Sequence, residues 1–196
     1  MRLNEIRVAG FGGQGVILCA SIIGKAACIF ENGYATMTQA FGPEARGGAC
    51  SAQVILSDEP ILYPYVTQPD VLVVMSQEAF TRFAPELKPG GVLLVERDLV
   101  HVDAMKHPSL VHSIPATRLA EELGRKMVLN VVMVGFFGAV TRLVDREALR
   151  QAVAASVPAA LVDLNLRAFD KGYEYGLSSR PEEAEEHLVP RDLEAH

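Results

Sequence analysis

A chain of 196 residues, 49% of them hydrophobic, can bury a core without covalent staples. Its formal charge of −6 is uneven: residues 177–196 set Arg180 and Arg191 against Glu182, Glu183, Glu185, Glu186, Asp192 and Glu194, leaving a nearly neutral body that excludes nucleic acid as the expected partner. Cys19, Cys28 and Cys50, without CxxC spacing, exclude a disulfide frame and an iron–sulfur site; they read as buried small hydrophobes in a reducing cytoplasm.

The start of the chain runs almost directly into a strand and shows no signal-peptide apolar core. The apolar run at 6–9 leads into Gly10-Phe11-Gly12-Gly13-Gln14-Gly15, and a helical pattern follows: Val16, Ile17, Ala20, Ile23, Gly24, Ala27 and Phe30, ended by Gly33. Strand, glycine loop and helix in that order make an anion site, because glycines allow close backbone approach and the helix start points unpaired N–H groups at the loop. The plainer alternative is that the glycines only permit close strand–helix packing. Gln14, at the mouth of the loop, either reads a polar ligand group or is simply an early helix residue.

An NAD site would place an acid roughly 20 residues beyond the last glycine, at the end of the second strand. The extended segment at 34–40 carries none, and no Arg for a 2′-phosphate. A second glycine-rich loop, Phe41-Gly42-Pro43-Glu44-Ala45-Arg46-Gly47-Gly48, follows. Arg46 suits bidentate contact with a phosphate or carboxylate, or it pairs with Glu44 and stiffens the loop; both readings stand. A strand over 50–56, a turn at 57–60 and a returning strand at 61–63 suggest an antiparallel hairpin, 50–63.

The continuous apolar run at 71–75 predicts a strand covered on both faces. A helix over 77–84, a strand over 92–95, and short extended pieces near 100–102 and 110–114 come next. Helices follow at 117–124, 128–141 and 145–156, and a last helix opens at Pro158 and stops at Gly176. The run 127–140 is too short for a membrane span of about 20 residues. Broken by Asn130, Gly135 and Gly138, it reads as a buried helix, and no membrane partner is expected. The expected fold is α/β: a Rossmann-like, doubly wound, mostly parallel sheet with an added antiparallel hairpin. It forms a single domain over 1–176, followed by a flexible acidic tail over 177–196. Both glycine loops should lie beyond the carboxyl ends of strands and face each other.

Catalytic groups are not evident. His101, His107, His112, His187 and His196 lack metal spacing, and Ser76 has no nucleophile elbow. Asp70 and Glu96 fall at opposite ends of strands, and position 16 is Val where a Walker motif needs Lys. No catalytic and no metal-ligating residue is assigned.

The two glycine loops together resemble the paired signatures of the gamma subunit of 2-oxoacid:ferredoxin oxidoreductases, of the 2-oxoglutarate or pyruvate synthase type. Ser57-Asp58-Glu59-Pro60-Ile61-Leu62-Tyr63-Pro64, Pro69-Asp70-Val71-Leu72, Asn130 and Asn165-Leu166-Arg167-Ala168-Phe169-Asp170-Lys171-Gly172 match the same pattern. The resemblance covers roughly residues 3–175, with Phe41 where the family often has Tyr. It implies a complex that oxidatively decarboxylates a 2-oxoacid on thiamine diphosphate and passes electrons through iron–sulfur clusters to ferredoxin. The acyl group leaves as its CoA thioester. Alpha and beta subunits would hold thiamine diphosphate and Mg, and a ferredoxin-like delta subunit would carry clusters. This chain would be a cytoplasmic subunit, inactive in isolation, that covers the active centre and helps to bind coenzyme A. The coenzyme A route carries over to Gly12, Gly13, Gln14, Gly15, Glu44, Arg46 and Gly47, with 2-oxoglutarate as the favoured oxoacid. The alternatives are an independent NAD(P)- or flavin-binding oxidoreductase and a non-catalytic scaffold.

Overall fold

A computed structural model of the chain describes residues 3–41, 49–102 and 109–179. Its centre is one six-stranded sheet of order β2-β3-β1-β4-β5-β6, formed by Tyr34–Phe41, Ala49–Ser57, Leu3–Phe11, Val71–Val74, Val92–Glu96 and Leu110–Ile114 respectively. Strands β1, β4, β5 and β6 are parallel, while β3 runs antiparallel to both neighbours. The Rossmann-like α/β class is therefore correct. Four consecutive residues of β4 are buried because layers cover both its faces.

The layers differ in weight. Ile6 and Val8 of β1 point into the larger core, made with α1 (Val16–Lys25), α3 (Ala116–Glu122), α4 (Leu129–Thr141), α5 (Arg146–Ala154) and α6 (Val162–Ser178). Ala9, Leu72, Val74, Leu93 and Val95 point the other way, against α2 (Gln77–Phe83). On that face Arg7 is buried, paired with Glu86 and stacked 4.8 Å from the Phe83 ring centroid. A charge inside a sheet core is tolerated only with such partners.

Several expectations need correction. The antiparallel hairpin is β2–β3, and residues 61–63 form no strand. Strand β3 already has β1 on one side and β2 on the other, so no edge remains for 61–63, which Pro60 and Pro64 bracket. Nor is 100–102 extended strand, because the N–H groups of Leu99 and Val100 turn back onto the Glu96 carbonyl oxygen. The first helix loosens into a π-helical turn over Ala26–Phe30, and Asn32, at φ 57°, takes the left-handed position expected of Gly33. Cys28 lies on that turn and is exposed, unlike Cys19 and Cys50, which are buried as expected. Finally, α6 continues past Gly176 to Ser178. That glycine serves packing, since a Cβ there would stand 2.7 Å from the Ala139 Cβ.

Candidate functional site

The connections on either side of β1 and β4 leave the sheet on opposite faces. From β1 the chain turns into α1 in the large layer; from β4 it turns into α2 on the other. The order therefore reverses between β1 and β4, and the crevice beyond their carboxyl ends is where open α/β sheets receive ligands. Residues 10–15 occupy one side of that crevice and the Met75–Ser76 turn the other.

The loop is held by its own side chains. The Gln14 N–H donates to the Phe11 carbonyl (3.1 Å), closing the turn. The Gln14 amide then folds back: Oε1 accepts from the Phe11 N–H (2.7 Å) and Nε2 donates to the Met75 carbonyl (2.8 Å). Gln14 thus ties the end of β1 to the end of β4, and its reach toward a ligand is spent on the loop's backbone. Gly10 must be glycine for this, because a Cβ would sit 2.5 Å from that Oε1. Gly13 and Gly15 take φ values of 101° and 73°, which L side chains rarely adopt.

Gly15 is the N-cap of α1 and offers no side-chain cap; its carbonyl accepts the first helical bond, from the Cys19 N–H at 2.9 Å. Among the described residues, the N–H groups of Gly12, Gly13 and Gly15 find no acceptor. Gly12 and Gly13 are exposed. The result is a set of backbone donors without acceptors among the described residues, at the positive end of a ten-residue helix, an arrangement that favours an anionic oxygen.

The same geometry works against a dinucleotide. The strand reached after α1 is β2, which carries no Asp or Glu and is separated from β1 by β3, about 10 Å across the sheet. Other polar groups near the crevice hold structure together. The buried Glu96 carboxylate accepts from the Leu99 N–H (2.7 Å) and the Thr117 N–H (3.1 Å). Ser76 caps α2 through its hydroxyl, which accepts from the Ala79 N–H at 3.2 Å. Gln77 exchanges two hydrogen bonds with the His101 backbone. Burial pushes the Cys19 thiol up to about 12 and raises that of Cys50, so neither is a thiolate near neutrality. The cysteines form no ligand set for a cluster, and among the described residues no three His, Cys, Asp or Glu side chains converge as metal ligands.

At the opposite end of the strands a cavity of about 320 Å³ is lined by Asp70, Lys88, Thr141 and neighbours. Its cation is already engaged: Lys88 lies 2.8 Å from Asp70 and 3.6 Å from Glu5. Burial there lowers the Lys88 pKa, but these two acids outweigh it and hold it above its usual value.

Of the candidates read from the sequence, the structure gathers Gly12, Gly13, Gln14 and Gly15 in one loop. Glu44, Arg46 and Gly47 lie outside the described residues. Their flanking strands are placed, however. Phe11 pairs with Ala49, while Gly10 and Phe41 both pair with Cys50, so the end of β2 and the start of β3 stand at the same end of the sheet as the start of the first loop. The sequence reading missed Asn130 as part of the site. Its Nδ2 donates to the Gly15 carbonyl at 3.4 Å. The available signal was a lone amide inside the most apolar helix.

Comparison with known proteins gives a consistent result. A family model described as "Pyruvate ferredoxin/flavodoxin oxidoreductase" matches residues 5–175. The chain is 46% identical over 173 residues to the 2-oxoglutarate synthase subunit KorC of Methanocaldococcus jannaschii, covering 87% of this chain and 92% of that protein. The crystal structure of the gamma subunit of a keto/oxoacid ferredoxin oxidoreductase from Geobacter sulfurreducens superposes with a TM-score of 0.84 at 38% identity, over 92% of this chain and all of that one. A 2-oxoglutarate:ferredoxin oxidoreductase from Magnetococcus marinus shares the fold at 24% identity, with a TM-score of 0.81; the match covers 92% of this chain and 32% of that one.

Proposed function

The chain belongs to the pyruvate ferredoxin/flavodoxin oxidoreductase family, in its gamma-subunit group, and from that membership we propose that it covers the active centre of a 2-oxoacid:ferredoxin oxidoreductase and helps to bind coenzyme A. The observation that carries this reading is the loop at the β1/β4 switch point whose backbone donors lack acceptors among the described residues, followed by a β2 strand without a dinucleotide acid. Coenzyme A brings phosphates that such donors favour.

The proposed division of labour follows from the family membership. Thiamine diphosphate with its Mg, and the iron–sulfur clusters, belong to alpha, beta and ferredoxin-like delta subunits, with ferredoxin as electron acceptor. They supply decarboxylation and electron transfer. The present chain contributes binding and orientation: Gly12, Gly13 and Gly15 offer N–H groups to a coenzyme phosphate, and Gln14 keeps their loop in shape. From the family resemblance, Arg46, with Glu44 and Gly47 of the second glycine-rich segment, is proposed to add a guanidinium for a second anionic group. Holding the coenzyme thiol toward a partner-bound acyl group lowers the barrier through orientation, with no acid–base residue on this chain. The favoured oxoacid is 2-oxoglutarate, by analogy with the KorC relative.

Leu62 at 95% exposure, with Tyr63 and Tyr65 also exposed and packed edge-to-face, supports a subunit role, because apolar clusters of this kind are usually buried in assemblies. The cytoplasm is the compartment proposed for the complex, by the family resemblance. Among the described residues no helix is long and apolar enough to cross a membrane. The test is anaerobic affinity purification of the chain from its host. Co-purification of thiamine- and cluster-bearing subunits, with dye reduction that needs both 2-oxoacid and coenzyme A, is the expected result. A chain recovered alone and without that activity defeats the proposal.

A further inference from the structure

We propose that Asn130 is a positioning residue for coenzyme A, acting through Gly15 to hold the glycine loop in its anion-accepting form; the proposal rests on the reading that this loop receives the coenzyme. Asn130 lies in the first turn of α4, 3% exposed, in a helix whose residues from Leu129 to Ala139 are all buried and otherwise apolar or glycine. Burying a primary amide there is unfavourable unless it bonds to something, and an apolar residue of similar size would suit packing better.

The partner is the loop. Nδ2 reaches the Gly15 carbonyl, and the amide carbon and Cβ of Asn130 fill the space a Gly15 side chain would need: a Cβ on Gly15 would stand 2.7 Å from the Asn130 Cγ and 3.1 Å from its Cβ. Gly15 is therefore constrained twice, by its left-handed backbone (φ 73°, ψ 26°) and by the amide packed against it.

Two amides thus grip the two ends of one loop. The Gln14 amide accepts from the Phe11 N–H at the loop's start and ties it to Met75 at the end of β4, and Asn130 holds the Gly15 carbonyl at the loop's end, tying the start of α1 to α4. Between these holds lie Gly12 and Gly13, exposed residues whose N–H groups have no acceptor among the described residues. Fixing a loop in its binding conformation before the ligand arrives removes part of the ordering cost of binding. Losing Asn130 should weaken coenzyme binding without touching the chemistry, which other subunits perform.

The test uses the assembled complex carrying Asn130→Ala, with Asn130→Asp as a second variant that keeps the side chain's size and removes the donor. Two quantities are read: steady-state kinetics, and amide hydrogen exchange across residues 10–18 without coenzyme. The expected result is faster exchange in the loop and a KM for coenzyme A raised about tenfold, with kcat at saturating coenzyme and the 2-oxoacid KM within about twofold. Adding Asn130→Ala to Gly15→Ala should partly restore the coenzyme KM that Gly15→Ala alone impairs, because the smaller residue makes room for the new methyl. A global loss of stability would move every parameter together and produce no such rescue. Unchanged loop exchange in both Asn130 variants overturns the positioning role. Faster exchange with an unchanged coenzyme KM overturns the underlying reading instead, since the loop would then be set for something other than coenzyme A.

Discussion

Gly12 and Gly13 are adjacent yet are glycines for different reasons. Gly13, at φ 101°, has a backbone that side chains rarely tolerate. Gly12 has no such φ, and an added Cβ would meet nothing within 4 Å among the described residues. None of the described residues requires a glycine at 12, as expected if a ligand approaches the backbone there. At the same scale, Asp170 shows what the family-like segment 165–172 does in the fold. Its carboxylate pairs with Arg146 at 2.9 Å and with Arg150, joining α6 to α5. Partial burial pushes its pKa up, but hydrogen bonds from Arg150 and Arg146 outweigh this and hold it below 3.8. A depressed acid contributes stability that is fully present above its unfolded pKa and is lost as pH falls through the lower folded one. Asp170→Asn should therefore lower Tm by a few degrees near neutral pH, with the gap to the native chain closing below about pH 4. A gap that persists or widens in acid would contradict this account of the pair.

Among the elements, the contact of α4 with α6 depends on glycine. A Cβ on Gly135 would collide with the Phe169 carbonyl, and one on Gly172 with that of Val132, so the two backbones touch where side chains normally intervene. Gly172→Ala should lower stability by about 1–3 kcal/mol, at the upper end because backbone cannot step aside as a side chain can. Urea unfolding of the two chains would show it as a lower midpoint at similar slope. This contact also marks how far elements were legible in the sequence. The alternation of strands and helices, and the helix within 128–141, follow from hydrophobic period and punctuation. Strand partnership does not: 61–63 has strand-like residues, but only the sheet order shows that β3 has no free edge. Gly176 reads as a stop until Ala139 is seen against it, and Cys28 as core until the π-helical turn exposes it. The first glycine loop was legible because strand, glycines and helix are contiguous. Asn130 was not, because it meets Gly15 across 115 residues of chain.

At the scale of the whole molecule, a switch-point loop with backbone donors that lack acceptors among the described residues coexists with an exposed Leu62–Tyr63–Tyr65 cluster. That combination is what the proposed role, a subunit completing a site that belongs to its partners, requires. The NAD(P) alternative fails on the same geometry, since β3 stands between β1 and the strand that would carry the ribose acid. The most direct measurement is the KM for coenzyme A of the assembled complex carrying Gly12→Ala. That substitution places a methyl with no described residue within 4 Å, at a backbone outside the left-handed region, so Tm and the 2-oxoacid KM should stay at native values. If coenzyme A approaches the loop backbone, its KM rises about tenfold, the equivalent of about 1.4 kcal/mol of lost binding. An unchanged KM for coenzyme A would contradict the claim that this loop receives it.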